Sequence, residues 1–563
     1  MHAANGRQYS MNRGNTRPRE GGDALIAALA RHGITSLFSV SGGPINSAYY
    51  ATTRHDMRIV HVRHEAAGGF MADSVYRSTG VPGAVLATLG PGVANTVTPA
   101  ACAMSAGVPM LIIGGQAGTR VLHRGAGMEM DTMSIMRPVT KWAAQVLHAD
   151  RIPEFVDEAY RRMMAGTPGP VYLEIPTDVL SSQLDDDTPP SPWTDPAPAA
   201  PDERVMTQVR GLIEHAKRPV LIAGDGVFHS GAHEGLREFV ARAEIPVATL
   251  RLGRGAIDER HDPWWFGPAY IPCNPVLSDS LEEADLVVLL GHHWEFDLEF
   301  GSGLGAATTV VQVHRDPAAL GRNGRADVAV NADSGPFIAA LAELTAGDRD
   351  GEWTRGRATA WQQEQARLTT QTRQAPEGEE RPHPLAVIDA VIAAAPADAR
   401  FITSHGNVDF WADPRIPVSA PQTYLRSGQS GALGAELPYA VGSALENPDS
   451  PSILFVGDGA VGYHLVEIET AARFGAPVIV VVLDDNSWGA IAMPQRMSYD
   501  VEVALELPPR DWAAVATGLG ARGYDATVDT VGAILQQAVA SGGPAIVHVP
   551  IRPTLSPYMA HIS

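Results

Sequence analysis

At 563 residues the chain is too long for one core, and about three domains are expected. With 45% hydrophobic and 19% charged residues it reads as globular, and a net charge of −21 disfavours nucleic acid and anionic membrane surfaces as partners. Its two cysteines, Cys102 and Cys273, support neither a disulfide framework nor a cysteine zinc site, and no apolar run reaches the roughly 18 residues of a membrane span.

Residues 1–21 are polar and basic, without the apolar core of a signal peptide, so a disordered leader and a cytoplasmic chain are expected. Residues 22–183 alternate strand runs (36–40, 58–62, 84–89, 110–113, 171–175) with helical runs (24–31, 65–78, 95–105), the pattern of a doubly wound parallel sheet. Glu65 follows a strand directly, where it can complement a helix dipole, and Gly90-Pro91-Gly92-Val93-Ala94-Asn95 makes a strand-to-helix turn. Residues 184–203, rich in proline and aspartate, read as a linker.

Residues 204–346 repeat the alternation with strands at 220–223, 247–250, 286–290 and 310–313. The adjacent His292 and His293 are not read as a metal site, since neighbouring histidines rarely share one ion. A hydrophilic second linker with a helix at 361–370 leads to a third unit, residues 384–563, which opens with a strand at 401–404 and the turn His405-Gly406-Asn407. The expected fold class is α/β, three consecutive doubly wound parallel-sheet domains.

The third unit carries the most informative stretch, residues 453–490. An apolar strand runs into Gly457-Asp458-Gly459-Ala460, a helix follows over 463–474, and a second strand over 478–483 ends in Asp484-Asp485-Asn486-Ser487. If the strands are neighbours, Asp458 and Asp485 sit side by side at the sheet edge where ligands bind. Two carboxylates with a backbone carbonyl and ligand phosphates suit octahedral Mg²⁺.

This stretch resembles the signature of thiamine-diphosphate-dependent enzymes, in particular the acetolactate synthase and benzaldehyde lyase branch. The resemblance implies pyrimidine-binding, central and diphosphate-binding domains in that order, with Mg²⁺ held by Asp458, Asp485 and the Ser487 carbonyl. One departure is Asp484-Asp485, where the family carries two asparagines. Arg63-His64-Glu65-Ala66-Ala67 matches the motif of the activating glutamate, so Glu65 is the implied catalytic residue. Gly90 and Asn95 match a cofactor-facing turn, and His405, Gly406 and Asn407 a diphosphate loop. Gly431 and Leu433 match a segment beneath the cofactor: a carbonyl acceptor and an apolar wedge. Gly457, Gly459, Ala460, Trp488 and Gly489 complete the implied cofactor contacts. The central domain resembles one that holds FAD in some members, ADP in others and nothing in many, so either nucleotide stays open. By resemblance the cofactor bridges two subunits, which implies a homodimer at least and a homotetramer as the usual assembly.

On the substrate side, Ser41 and Pro44 stand where benzaldehyde lyase has histidines, with Gly43 between them. Met128 falls near a glutamine common in the branch, and Gln116 is a polar neighbour; Ala490, Met493 and Gln495 follow the metal segment. Few of these are acid–base groups, which suits a lyase or carboligase driven mainly by the cofactor: 2-oxo acid decarboxylation, acetolactate-type or benzoin-type chemistry on a small molecule. A 2-hydroxyacyl-CoA or oxalyl-CoA lyase, and a non-catalytic scaffold keeping the fold, are the alternatives.

Overall fold

The computed structural model describes residues 18–185, 194, 196–372, 378–403 and 405–558, without the side chains of residues 371, 372 and 493. Residues 1–17 of the expected leader, much of the first linker, and Ser404 lie outside the described residues. The leader was expected to run through residue 21, but Glu20 already pairs with Gln183 in an antiparallel bridge and forms a capping box with Asp23 at the start of helix Gly21–Arg31. A Cβ on Gly21 would come within 2.4 Å of the Val179 carbonyl, so this entry point is clamped against the end of the first unit.

Three six-stranded sheets follow in sequence, and every strand pairing within them is parallel. The first comprises β1 (Ser36–Ser39), β2 (Arg58–His61), β3 (Gly83–Ala87), β4 (Met110–Gln116), β5 (Trp142–Gln145) and β6 (Val171–Pro176) in the order β2-β1-β3-β4-β6-β5. The second comprises β7 (Pro219–Ala223), β8 (Val247–Thr249), β9 (Trp265–Pro268), β10 (Leu286–Leu290), β11 (Thr309–His314) and β12 (Val328–Asn331), ordered β12-β11-β10-β7-β8-β9. The third comprises β13 (Arg400–Thr403), β14 (Tyr424–Leu425), β15 (Ser452–Gly457), β16 (Val478–Asp484), β17 (Arg522–Asp525) and β18 (Ala545–Pro550), ordered β14-β13-β15-β16-β18-β17. The α/β architecture is therefore as expected, and the first and third sheets share one topology while the second has the dinucleotide-fold order.

Interior strands such as β10 and β16 are buried along their whole length, which is why they read as continuous Val, Ile and Leu runs. The second linker contains the helix expected at 361–370, extended to Gly351–Thr372, which buries Trp353, Trp361 and Leu368 along one face; Trp361 meets Trp265 of β9 edge-on. The first and third units share a core in which helix Glu65–Thr79 packs against helix Glu436–Glu446.

Candidate active site

In the third sheet the strand order reverses between β13 and β15, and an open parallel sheet leaves a crevice beyond the carboxyl ends of its strands at that point. The register Gly457↔Leu483 sets Asp458 level with Asp484. Asp458 is only 4% exposed, and its Oδ2 has no hydrogen-bond partner. Such an oxygen calls for a ligand, because buried polar atoms are otherwise paired.

The neighbouring segments close around it. Asp485 folds over Gly489, where a Cβ would stand 2.7 Å from its Oδ2, and a Cβ on Gly489 would lie 3.8 Å from Asn407 Nδ2. Gly406, at φ 100°, faces Ala490, and a Cβ on Gly457 would meet Val408. Ser487 bridges to Glu506, and Asn486 takes a left-handed turn at φ 56°, so the segment after β16 is anchored at its far side. The His405 amide donates to Glu436 Oε1 at 3.1 Å, and the ring Nε2 lies 2.5 Å from Ser427 Oγ. Gly431 is exposed at φ 59°, Leu433 is half-buried, and Gly434 is pressed against Tyr463. Ala460 is buried at the head of a short 3-10 turn. The Asn407 amide donates to Thr554 O at 2.7 Å and accepts from Ser556 N at 2.9 Å, so it ties down the C-terminal segment.

Gly459 approaches the Trp488 ring so closely that a Cβ would lie 2.7 Å from it. Its φ of −73° suits any residue, so the constraint is purely steric. Gly459→Ala is expected to destabilise the protein by about 1–3 kcal/mol, because the ring must move against a packed neighbour. Chemical unfolding measures this, and an unchanged midpoint would show that the ring yields freely.

The first unit gathers a second cluster at the corresponding reversal, between β1 and β3. Glu65 is the first residue of helix Glu65–Thr79, 8% exposed, and its Oε2 accepts from Asn95 Nδ2 at 2.9 Å. A Cβ on Gly92 would stand 3.3 Å from Glu65 Oε1, which places the glycine turn beside the carboxylate. Gly90, at φ 58°, leaves room for the Met128 carbonyl, which a Cβ would overlap. The turn containing Ser41, Gly43 and Pro44 lies over Thr88, whose buried Oγ1 has no partner. Gln116 is turned inward: its amide bonds Met130 O, Glu174 and the Ala117 amide. Gln495 accepts from Val503 N, and Met493 lies on helix Gly489–Tyr499 with its side chain outside the described ones. The helix start meets the third unit, since the Arg63 amide donates to Glu467 Oε1 at 3.0 Å and the His64 and His464 rings are 5.8 Å apart.

Comparison with known proteins finds matches over the segments that carry these two clusters. The N-terminal TPP binding domain of thiamine pyrophosphate enzymes matches residues 19–135, their central domain residues 206–341 and their C-terminal TPP binding domain residues 404–549. The 2-hydroxyacyl-CoA lyase 2 of Danio rerio is 30% identical over 549 residues, covering 90% of this chain and 86% of the relative. The chain belongs to the thiamine pyrophosphate enzyme family. It lies in the acetolactate synthase-like branch: the acetolactate synthase large subunit of Parasynechococcus marenigrum is 30% identical over 94% of this chain and 87% of its own length. Isozyme 1 large subunit of Escherichia coli acetolactate synthase is 29% identical over 95% of both chains.

The residues of this thiamine pyrophosphate enzyme fit the cofactor. Among the described residues no trio of His, Cys, Asp or Glu side chains encloses a metal by itself, but the unpartnered Asp458 oxygen, Asp485 and nearby carbonyls form an all-oxygen set of the kind hard cations prefer. Burial, then the neighbouring Asp484 and Asp485, push the Asp458 carboxyl up to about 8; burial, with Asp484 adding, pushes Asp485 up to about 6. Asp484 is held below the usual range despite burial, because His548, Trp512 and Asn486 bond its carboxylate. No motif singles out Thr88 or Glu436; Glu436, pushed up to about 7 by burial, stands as a lone acid in a run of small residues.

The Asp458 shift fixes a pH dependence. An acid with a native pKa above its unfolded value adds stability below about pH 4 and loses it as pH rises through about 8. Without divalent cation, the melting temperature of the wild type is therefore expected to fall more steeply from pH 6 to 8 than that of Asp458→Asn. Parallel curves in thermal scans would show that Asp458 is not strained by its neighbours.

A cavity of about 490 Å³ opens at the reversal point of the second sheet, between β7 and β10. Asp225, Gly226, Gly291 and His292 line it from the strand ends, with Lys141, Arg315 and Arg322 beside them. His292 lies between Asp225 and Glu295 and is raised to about 9 by those acids against the effect of burial, so an ion pair occupies the histidine cluster. No described helix is long and apolar enough to cross a membrane.

Proposed function

We propose that this chain is a thiamine-diphosphate- and Mg²⁺-dependent lyase or carboligase that cleaves or forms a C–C bond next to a carbonyl, acting on a small 2-oxo acid or 2-hydroxy ketone in the cytoplasm. The observation that carries the reading is the buried, unpartnered Asp458 oxygen at a crevice where segments 405–407, 457–460 and 485–490 converge. When bound, thiamine diphosphate supplies a nucleophilic thiazolium carbon that adds to carbonyls and labilises the neighbouring bond.

This chain's residues would do the rest. Asp458, Asp485 and the Ser487 carbonyl would hold Mg²⁺, with the turns at His405-Gly406 and Gly457–Ala460 receiving the diphosphate. Leu433 would wedge the cofactor and the Gly431 carbonyl accept from its amino group. Glu65 Oε1, left free by the Asn95 bond to Oε2, would share a proton with a ring nitrogen of the aminopyrimidine. Its burial keeps water from taking that proton. Ser41, Gly43, Pro44, Met128, Ala490 and Gln495 would line the substrate side, which lacks a side chain suited to general-base work near pH 7.

Exposed Met128 and Met130 in the first unit and Tyr463, Ile491, Met497 and Tyr499 in the third support a homodimer as the minimum unit, and a tetramer follows by resemblance. A 2-hydroxyacyl-CoA lyase is the second reading, favoured by Lys141, Arg315 and Arg322 at the central cavity, a size and charge that also suit FAD or ADP. The test dialyses the protein against EDTA, restores thiamine diphosphate and Mg²⁺, and offers pyruvate, benzoylformate, benzoin, acetoin and a 2-hydroxyacyl-CoA separately. Aldehyde or CO₂ release from one of the first four supports the leading reading; release from the thioester alone supports the second. Silence on all, with cofactor bound, would leave a scaffold. Absorbance of the denatured supernatant at flavin and adenine wavelengths identifies any central nucleotide.

A further inference from the structure

Asp458 is not alone at the strand ends. Asp484, 6% exposed, stands level with it across the β15–β16 pair. Four donors fix the Asp484 carboxylate: the backbone and side-chain amides of Asn486 at 2.9 Å on Oδ1, and Trp512 Nε1 at 2.9 Å and His548 Nε2 at 3.2 Å on Oδ2. Asp525 holds the far side of the His548 ring at 2.9 Å. A carboxylate so tied cannot swing to solvent, and with both oxygens engaged it is not a ligand in waiting.

Its effect is charge. Asp458, Asp484 and Asp485 occupy two adjacent strand ends, and none has an arginine or lysine ion pair among the described residues. The buried, unpartnered Asp458 Oδ2 independently marks the cluster as a place for a ligand. A diphosphate approaching this cluster of three acids, of which only Asp484 has an ion pair among the described residues, with His548, meets repulsion, whereas a divalent cation is attracted.

We propose that this chain binds its divalent cation ahead of thiamine diphosphate, and that Asp484 is the positioning residue whose fixed charge makes this order possible. The inference rests on the cation site of the proposed function. In this arrangement Asp458, Asp485 and water hold the ion first, and the diphosphate then docks on an occupied site.

The test is titration of the full-length, cofactor-free protein with Mn²⁺ alone, the free ion read by electron paramagnetic resonance, then repeated with thiamine diphosphate. The wild type is expected to bind one Mn²⁺ per chain without cofactor. Asp484→Asn, which keeps the shape and the Trp512 bond, should weaken that binding roughly 10- to 100-fold, with retention recovered when the cofactor is added. Trp512→Phe removes a donor but keeps the charge, and should stay within about threefold of the wild type, which a merely structural role for Asp484 would not allow. Wild-type binding only with cofactor present, or equal affinity in Asp484→Asn, overturns the proposal while sparing the cation site. No Mn²⁺ with or without cofactor, or undiminished binding in Asp458→Asn, overturns the cation site itself.

Discussion

Glu65→Gln is expected to lower kcat by roughly 10²- to 10⁴-fold, the range that a positioned proton-transfer group contributes. The substitution is nearly isosteric. The amide oxygen can still accept from Asn95 Nδ2, and the helix start, capped through His64 Nδ1 and the Ala66 amide, is untouched. What is lost is a group able to share a proton at the oxygen beside Gly92. Cofactor affinity should change by no more than a few-fold, since the groups expected to hold the diphosphate and cation belong to the third unit. Steady-state turnover and calorimetric cofactor binding, measured on the same preparation, separate the two effects. A variant with wild-type turnover would move the proton-handling role away from Glu65.

The largest expected loss of stability comes from a site that touches no ligand. Asp73 lies on the same helix as Glu65 and is fully buried; it receives Arg77 Nε at 2.6 Å and Tyr439 OH at 2.7 Å. Arg77, 3% exposed, also donates to the Arg426 carbonyl at 2.9 Å, so one helix of the first unit is tied to two segments of the third. Asp73→Ala leaves the Arg77 guanidinium buried without its counter-charge and is expected to cost about 3–5 kcal/mol. The double variant Asp73→Ala/Arg77→Met removes the stranded charge as well and should recover part of that loss. Denaturant unfolding of the three proteins decides the matter; equal loss in single and double variants would assign the effect to packing rather than to the uncompensated charge. Because the helix carries Glu65 at its first turn, the single variant should also loosen the candidate catalytic carboxylate.

The interior strands and the glycine turns were legible because their signals are local. β10 matches its expected limits, and β15 and β16 are neighbours, the condition on which Asp458 and Asp485 were expected to lie side by side. The strands that escaped notice at sheet edges are short or half-wet: β17 is exposed at Arg522 and Asp525, β12 alternates buried and exposed residues, and β14 has two residues. The interior β18, apolar throughout except for His548, could have been read. Residues 463–474 looked like one helix, yet the helix starts at Glu467, after a short 3-10 turn that follows the close approach of Gly459 to Trp488. The helix expected at 361–370 is present but starts ten residues earlier, at Gly351; its first half is hard to read because Trp353, Trp361 and Leu368 are separated by two turns each. Site features that depend on distant partners were not legible at all: the engagement of Asn407 with Thr554 and Ser556, the inward turn of Gln116, and the His548 and Trp512 bonds to Asp484 exist only once the chain has folded.

The most direct measurement is calorimetric titration of thiamine diphosphate into EDTA-dialysed protein, with and without Mg²⁺, for the wild type and Asp458→Asn. Saturable binding that requires Mg²⁺ and is lost in Asp458→Asn is the predicted result. Binding of equal strength without cation, or in the variant, would contradict the assignment of this crevice as the cation-dependent cofactor site.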